Sequence, residues 1–288
     1  MTDLSGKVAV VTGGNSGIGK EAAVEIARQG AHVVIAARNP TKAAAAVTEV
    51  ETRGNARGRV ETMPIDLASF ASVRAFADAF TAKHDRLDIL LNNAGGVLRK
   101  RIVTGDGHEM QFQVNHLSHF LLTNLLHDVL VRSAPARVVN VSSYAHTTVR
   151  HGLDFDDLEF ERRRYHGFAV YSATKLMNVL FTLELARREN PDVITANAVH
   201  PGFVASNFAK EGDTGFFGLL MPLARPFALS PAKGALTSIY VSTSSDVDGL
   251  TGLYFVKGKA VSPSPPALDA AAAARLWDVS AKLTAPGA

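Results

Sequence analysis

Tyr171 and Lys175 stand four residues apart, a spacing that puts a phenol and an ammonium on one face of a helix. A free tyrosine, with a pKa of about 10, is a sluggish acid or base at neutral pH. A neighbouring ammonium stabilises the phenolate and draws that value toward the working range, so the pair suits proton transfer. Upstream, Val139, Asn140, Val141, Ser142 and Ser143 read as a strand that ends in hydroxyls, groups able to bond an oxygen on which charge develops. Near the start of the chain, Thr12, Gly13, Gly14, Asn15, Ser16, Gly17, Ile18 and Gly19 join a β-branched run to a helical stretch. A turn with so few side chains lets a phosphate approach backbone N–H groups at a helix N-terminus, although the glycines at 13, 17 and 19 depart from the G-x-G-x-x-G spacing. The second β-branched run ends in Ile35, Ala36, Ala37 and Arg38, with no acid to bind a free ribose hydroxyl. The planar donors of Arg38 suit a 2′-phosphate instead, which favours NADP(H) over NAD(H).

These groups need a scaffold, and the pattern of the chain supplies one. Short β-branched runs at 8–11, 33–36, 60–65, 89–91, 138–141 and 193–199 alternate with helical stretches at about 17–29, 41–53, 69–83, 108–131 and 168–188. That alternation predicts an α/β fold in which a parallel sheet is wound by crossover helices on both faces. Gly30 reads as the C-cap of the first helix, and the alanine-rich segments near Ala43 and Ala270 lean toward helix. With no repeat or linker to divide it, residues 1–288 read as one domain. Two insertions, at about 144–167 and 202–230, do not fit the rhythm. Each leaves the carboxyl end of a strand, the edge at which open α/β sheets bind ligands.

Composition narrows the partners. Thirty Lys+Arg against 27 Asp+Glu give a net charge of +3, too thin a surplus for a nucleic-acid binder. The absence of cysteine excludes disulfides, thiolate metal sites and a cysteine nucleophile. No apolar leader precedes the first strand. The most apolar stretch, 216–229, is interrupted by Pro222, Arg225 and Pro226 and falls short of the roughly 20 residues of a membrane span. The expectation is a soluble, cytoplasmic protein without a transmembrane segment. His116 with His119 and His146 with His151 invite a metal, but no carboxylate or cysteine completes a set at a recognisable spacing, so no metal is expected. Arg162, Arg163 and Arg164 read as a solvated charge run.

Taken in chain order, residues 12–19, then Asn92, Asn93, Ala94 and Gly95, Asn115, Ser143, Tyr171 with Lys175, and His200, Pro201 and Gly202 resemble the short-chain dehydrogenase/reductase family over nearly the whole chain. Residues 114–120, 139–143 and 275–280 are similar to its retinol-dehydrogenase-like branch. The resemblance implies a single-domain, doubly wound Rossmann fold and an NADP(H)-dependent oxidoreductase. Such an enzyme moves a hydride between nicotinamide and a carbonyl or alcohol, here an apolar aldehyde or ketone with retinal-like compounds among the candidates. It also implies the roles. Asn115 holds a proton-relay water, Ser143 bonds the substrate oxygen, Tyr171 transfers the proton and Lys175 binds the nicotinamide ribose, with Ser142 a neighbour at the strand end. For the cofactor it points to Gly13, Asn15, Ser16, Gly17, Ile18 and Gly19, to Arg38, to Asp66 and Leu67 near the adenine, to Asn93, Ala94 and Gly95, and to Pro201, Gly202 and Val204 near the carboxamide. On the residues alone, 92–95 also reads as a plain turn and Asp66 as a helix N-cap.

The chain spends more residues between Ser143 and Tyr171 than the simplest members of the family do, so no substrate carries over from simple ketoreductases. Phe203, Phe208, Phe216, Phe217, Leu219, Leu220 and Met221 suggest an apolar lid, with oligomer packing or a peripheral membrane contact as the alternatives. Two rival functions are a dinucleotide-sensing scaffold that has lost catalysis and a metal-dependent hydrolase. The intact set of Asn115, Ser143, Tyr171 and Lys175 argues against the first, and the lack of a nucleophile elbow against the second.

Overall fold

Val, Ile and Thr carry crowded Cβ atoms that pack best on a pleated surface, and runs of them without polar alternation suit strands covered on both faces. The computed structural model describes residues 2–202 and 229–287. In it those runs become β1 (Val8–Thr12), β2 (His32–Ala37), β3 (Val60–Pro64), β4 (Ile89–Asn92), β5 (Ala136–Val141) and β6 (Ile194–His200). All six are parallel. They are joined by β7 (Leu253–Val256), parallel to β6, and by β8 (Lys259–Val261), which folds back antiparallel on β7. The sheet order is β3-β2-β1-β4-β5-β6-β7-β8. The chain therefore winds outward in opposite directions from the β1–β4 pair. A single-domain, doubly wound Rossmann fold results, with its switch point between the carboxyl ends of β1 and β4.

Alternate residues of each strand serve different cores. Ala9, Val11, Val33 and Ile35 pack with α1 (Gly17–Arg28), α2 (Pro40–Gly54) and, from a later part of the chain, the helix Pro231–Thr243. Val8, Val10, Val34 and Leu90 pack with α3 (Phe70–Lys83) on the other face. The single long helix expected over 108–131 is a correction: α4 (Met110–Phe112) runs into a π-helical turn, Gln113–Leu117, before α5 (Ser118–Leu125) and, past a break at Leu126, α6 (His127–Arg132). The cause is tertiary. Both polar atoms of the Asn115 amide bond the backbone of Gly96, which outweighs regular helical winding there. α7 (Gly167–Arg188) follows, then α8 (Pro231–Thr243) and α9 (Ala270–Leu283), the last packed on α7. No helix among the described residues is long and apolar enough to cross a membrane.

Gly30 does stop α1. It sits at φ +110°, and a Cβ there would lie 2.9 Å from the Ser5 nitrogen. The amino edge of the sheet is pinned by Asp88, which is 4% exposed and accepts from the Val8 N–H at 2.9 Å, from Lys7 at 3.0 Å and from Arg86 through two bonds. Burial pushes this carboxyl up, but Arg86, Val8 and Lys7 together outweigh it and hold it below its ordinary 3.8. A carboxyl depressed in the folded state contributes stability above its unfolded pKa and loses it as pH falls through the folded value. Asp88→Asn should therefore lower stability at pH 7 by about 1–3 kcal/mol and flatten the acid limb of the stability curve, measured by urea unfolding from neutral to acid pH.

Candidate active site

The site begins at the switch point. α2, α3, α8 and α9 each start with a side-chain cap, from Asn39, Ser69, Ser230 and Asp269. α1 does not. Ser16 makes no capping bond and the first turn holds no acid, so the first N–H groups of α1 are open to an anion. The turn in front of them is closely built: Gly13 and Gly17 have φ +66° and +54°, and a Cβ on Gly19 would lie 2.5 Å from Asn93 Nδ2 and 2.6 Å from the Gly13 oxygen. Glycine at these positions leaves a cradle that fits a dinucleotide pyrophosphate.

Thr12, the last residue of β1, locks that turn to the neighbouring strand end. Its fully buried hydroxyl accepts from the N–H groups of Asn93 at 2.8 Å and Ala94 at 3.0 Å, while Asn93 Nδ2 returns a bond to the Thr12 carbonyl at 2.9 Å. With both lone pairs engaged, the hydroxyl proton has two acceptors in reach, His119 Nε2 at 3.0 Å and the Leu91 carbonyl at 3.4 Å. The shorter contact takes it. His119 then carries its own proton on Nδ1, which faces the Asn115 carbonyl at 3.3 Å. Burial holds this imidazole neutral by pushing its pKa down to about 4. Asn115 completes the link: its amide bonds Gly96 on one side and donates to Thr174 of α7 at 3.1 Å on the other.

The two serines at the end of β5 divide the work. Ser142, 1% exposed, donates to the Lys175 carbonyl at 2.7 Å and clamps α7 to the sheet. Ser143 turns toward the site, where its oxygen accepts from the Ala145 N–H at 3.2 Å and its hydroxyl bonds Tyr171. Burial pushes the Tyr171 phenol up to about 12, the Ser143 bond pulling the other way. Lys175, also buried, donates to the Val141 carbonyl at 2.9 Å and lies 5.5 Å from the centre of the Tyr171 ring. Burial lowers its pKa to about 8. The sequence expectation that Lys175 brings the phenol toward neutrality is thus not met by these contacts alone. One of the three ammonium N–H groups goes to Val141, and desolvation of the phenol dominates.

Geometry of this kind suits hydride transfer coupled to proton transfer, and the comparisons agree with it. The family profile described as short chain dehydrogenase matches residues 7–153. Human retinol dehydrogenase 13 is 42% identical over 285 residues, which span 97% of this chain and 85% of that protein. The chain belongs to the short-chain dehydrogenase family. It falls in the retinol-dehydrogenase-like branch and is an oxidoreductase of that family's type. Among solved structures, an uncharacterized protein from Mycobacterium paratuberculosis is similar with a TM-score of 0.78 and 34% identity, covering 99% of this chain and 95% of that one. The Pseudomonas aeruginosa RhlG/NADP active-site complex is similar with a TM-score of 0.69 and 27% identity, covering 88% of this chain and 95% of that one.

In this short-chain dehydrogenase the remaining expected residues that are described follow the carboxyl ends of their strands at the same edge. Arg38 lies exposed just past β2, with no ion-pair partner among the described residues. Asp66 bonds the Ala68 N–H at 3.0 Å, and Ser69 rather than Asp66 caps α3. Leu67 is buried, and its carbonyl accepts from Ser118 at 2.6 Å. Asn15 and Ile18 are half-buried in the turn, and Gly95 touches Asn115, since a Cβ there would lie 2.9 Å from Oδ1. Pro201 and Gly202 follow β6; Val204 and the apolar segment from Phe203 to Met221 lie outside the described residues. His116 and His119, three apart in sequence, face different partners, Ser280 of α9 and Thr12.

Sequence reasoning missed the part that three residues play in holding this site. Besides His119 they are Gly167 and His146. A Cβ on Gly167 would lie 1.7 Å from the Leu98 carbonyl, so only glycine lets the start of α7 sit against the loop after β4. His146 Nδ1 donates to the Ser143 carbonyl at 2.7 Å and Nε2 accepts from the Ser264 N–H at 3.1 Å. A lone glycine four residues before the tyrosine was the one available signal. For His119, imidazole nitrogen-15 spectra should show a protonated Nδ1 and a bare Nε2, unchanged on acidification until pH approaches about 4. A proton on Nε2 would reverse the assignment, and His119→Leu should cost about 1–3 kcal/mol in thermal unfolding.

Proposed function

We propose that this dehydrogenase uses NADP(H) to interconvert an apolar aldehyde or ketone with its alcohol, acting as a reductase with Tyr171 as proton donor. The observation that carries the reading is the meeting of the Tyr171 and Ser143 hydroxyls at the sheet edge beside the uncapped glycine turn. A bound nicotinamide dinucleotide supplies the hydride. The residues that would hold it are Gly13, Asn15, Ser16, Gly17, Ile18 and Gly19 at the pyrophosphate, Arg38 at the 2′-phosphate, and Asp66 and Leu67 at the adenine. Asn93, Ala94 and Gly95 would line the adenosine half, Lys175 and Tyr171 the nicotinamide ribose, and Pro201 and Gly202 the carboxamide.

The protein groups do the rest. The Ser143 and Tyr171 hydroxyls are hydrogen-bonded to each other. A substrate carbonyl oxygen placed between the two takes the Tyr171 proton while Ser143 steadies the charge on it, help worth roughly 10²- to 10⁴-fold. A phenol pushed up to about 12 keeps its proton at neutral pH, which favours reduction over oxidation. Asn115 holds the relay side of the site. Tyr144, 63% exposed, and Phe168, 40% exposed with its ring 6.1 Å from Tyr171, offer an aromatic rim for an apolar substrate. The retinol dehydrogenase relative directs the first choice of substrate to retinal-like aldehydes.

Tyr171→Phe should abolish turnover of such aldehydes, measured as NADPH oxidation, while NADPH binding stays near wild type. Retained turnover would remove Tyr171 from the role. In the active protein the oxidative rate should rise between about pH 6 and pH 9 as the phenol gives up its proton more readily, and the reductive rate should not rise. Arg38→Ala should weaken NADPH binding far more than NADH binding in fluorescence titrations, and an unchanged ratio would exclude Arg38 from 2′-phosphate recognition.

A further inference from the structure

We propose that His32, Glu61 and His84 form a binding site for one divalent ion of the zinc type, at the edge of the sheet opposite the dehydrogenase site. His32 opens β2, Glu61 lies near the start of β3 and His84 caps the carboxyl end of α3, so three separate elements bring imidazole, carboxylate and imidazole together. His32 Nε2 is 2.8 Å and His84 Nε2 2.9 Å from the same atom, Glu61 Oε1, and all three donor atoms lie within 4.8 Å of one another. Ligand atoms so gathered can share an ion at bond lengths of about 2.0–2.2 Å once the side chains draw in around it.

Two imidazoles converge on one carboxylate oxygen. His32 Nε2 donates to Oε1, and His84 Nε2 approaches the same oxygen at 2.9 Å in a less well aligned contact. The His84 side chain is only 11% exposed and is walled by the Phe80 ring at 4.8 Å. Ring nitrogens held this close to a shared carboxylate oxygen are placed to share an ion with it. Lys83 does not occupy that oxygen. It pairs with the other carboxylate oxygen, Oε2, from a side chain that is 59% exposed, and leaves Oε1 to the two imidazoles. His32, 32% exposed, opens the remaining coordination position to water. Two histidines, one carboxylate and an open position match the donor set of zinc, with softer thiolate-seeking ions excluded by the lack of cysteine. Such an ion would tie β2 and β3 to the end of α3 and stabilise the fold by mass action.

The test is calorimetric titration of tag-free, chelator-treated full-length protein with zinc chloride, with thermal unfolding followed in parallel. One saturable equivalent and a raised midpoint are expected, with both effects weakened by at least about tenfold in His84→Gln and in Glu61→Gln. Circular dichroism of the two variants without metal reports whether they remain folded. Absence of a saturable equivalent overturns the site, as does undiminished binding in the folded variants, which would place the ion on other histidines. X-ray absorption of the loaded protein supplies an independent reading: a shell with two imidazoles is expected, and one with none or one refutes the assignment.

Discussion

The Thr12 hydroxyl is the bond on which the site depends. Its two lone pairs take the backbone N–H groups of Asn93 and Ala94, and its proton goes to His119. A single oxygen therefore fixes how the turn after β1 meets the loop after β4, which is the crevice where the sheet changes direction. Through His119 the same oxygen reaches the Asn115 carbonyl, and through the Asn115 amide it reaches Gly96 and Thr174. The phosphate cradle and the helix that carries Tyr171 are thus parts of one hydrogen-bonded unit. Because that unit is buried, leaving any member without its partner costs its full desolvation, which holds the geometry more firmly than the modest net worth of each bond suggests.

A second buried system runs beneath it. Asn92 Nδ2 bonds both Thr123 of α5 and Asn140 of β5, and Asn140 bonds Thr182 of α7, each at 2.9–3.0 Å. These amides tie α5 and α7 to the middle of the sheet. An ammonium out of water favours its neutral form, and a phenol out of water favours its protonated form, so burial lowers the pKa of Lys175 and raises that of Tyr171.

The sequence made the strands of the sheet and the chemistry at its edge legible, because both are local: β-branched runs for the first, and residue types at fixed spacing for the second. Tyr171 with Lys175, Ser143 at a strand end and the glycines of the first turn all stand where the pattern put them. What was not legible came from contacts distant in sequence. β7 and β8 are too short to show a period, and β8 is exposed throughout. The π-helical turn around Asn115 reads as ordinary helix until Gly96 is seen beside it. Gly167 matters only because the Leu98 carbonyl comes to rest where its side chain would be. His32, Glu61 and His84 have no motif at all, since β-sheet pairing and the end of a helix bring them together.

The parallel sheet itself explains why the two edges differ. Every strand delivers its carboxyl end to the same side, and every crossover helix begins there, so helix N-termini with their partial positive charge gather at that edge. At the amino edge Asp88 pairs with Lys7 and Arg86, and Arg137 with Asp248 and the carbonyls of Val241 and Ser244. At the carboxyl edge the first N–H groups of α1 are left uncapped, Arg38 is left exposed, and the aromatic rings of Tyr144 and Phe168 face outward. Unsatisfied donors and uncovered apolar surface lower stability unless something binds them. Their concentration at one edge, around a hydroxyl pair held by buried bonds, marks that edge as the place where this fold can take a ligand.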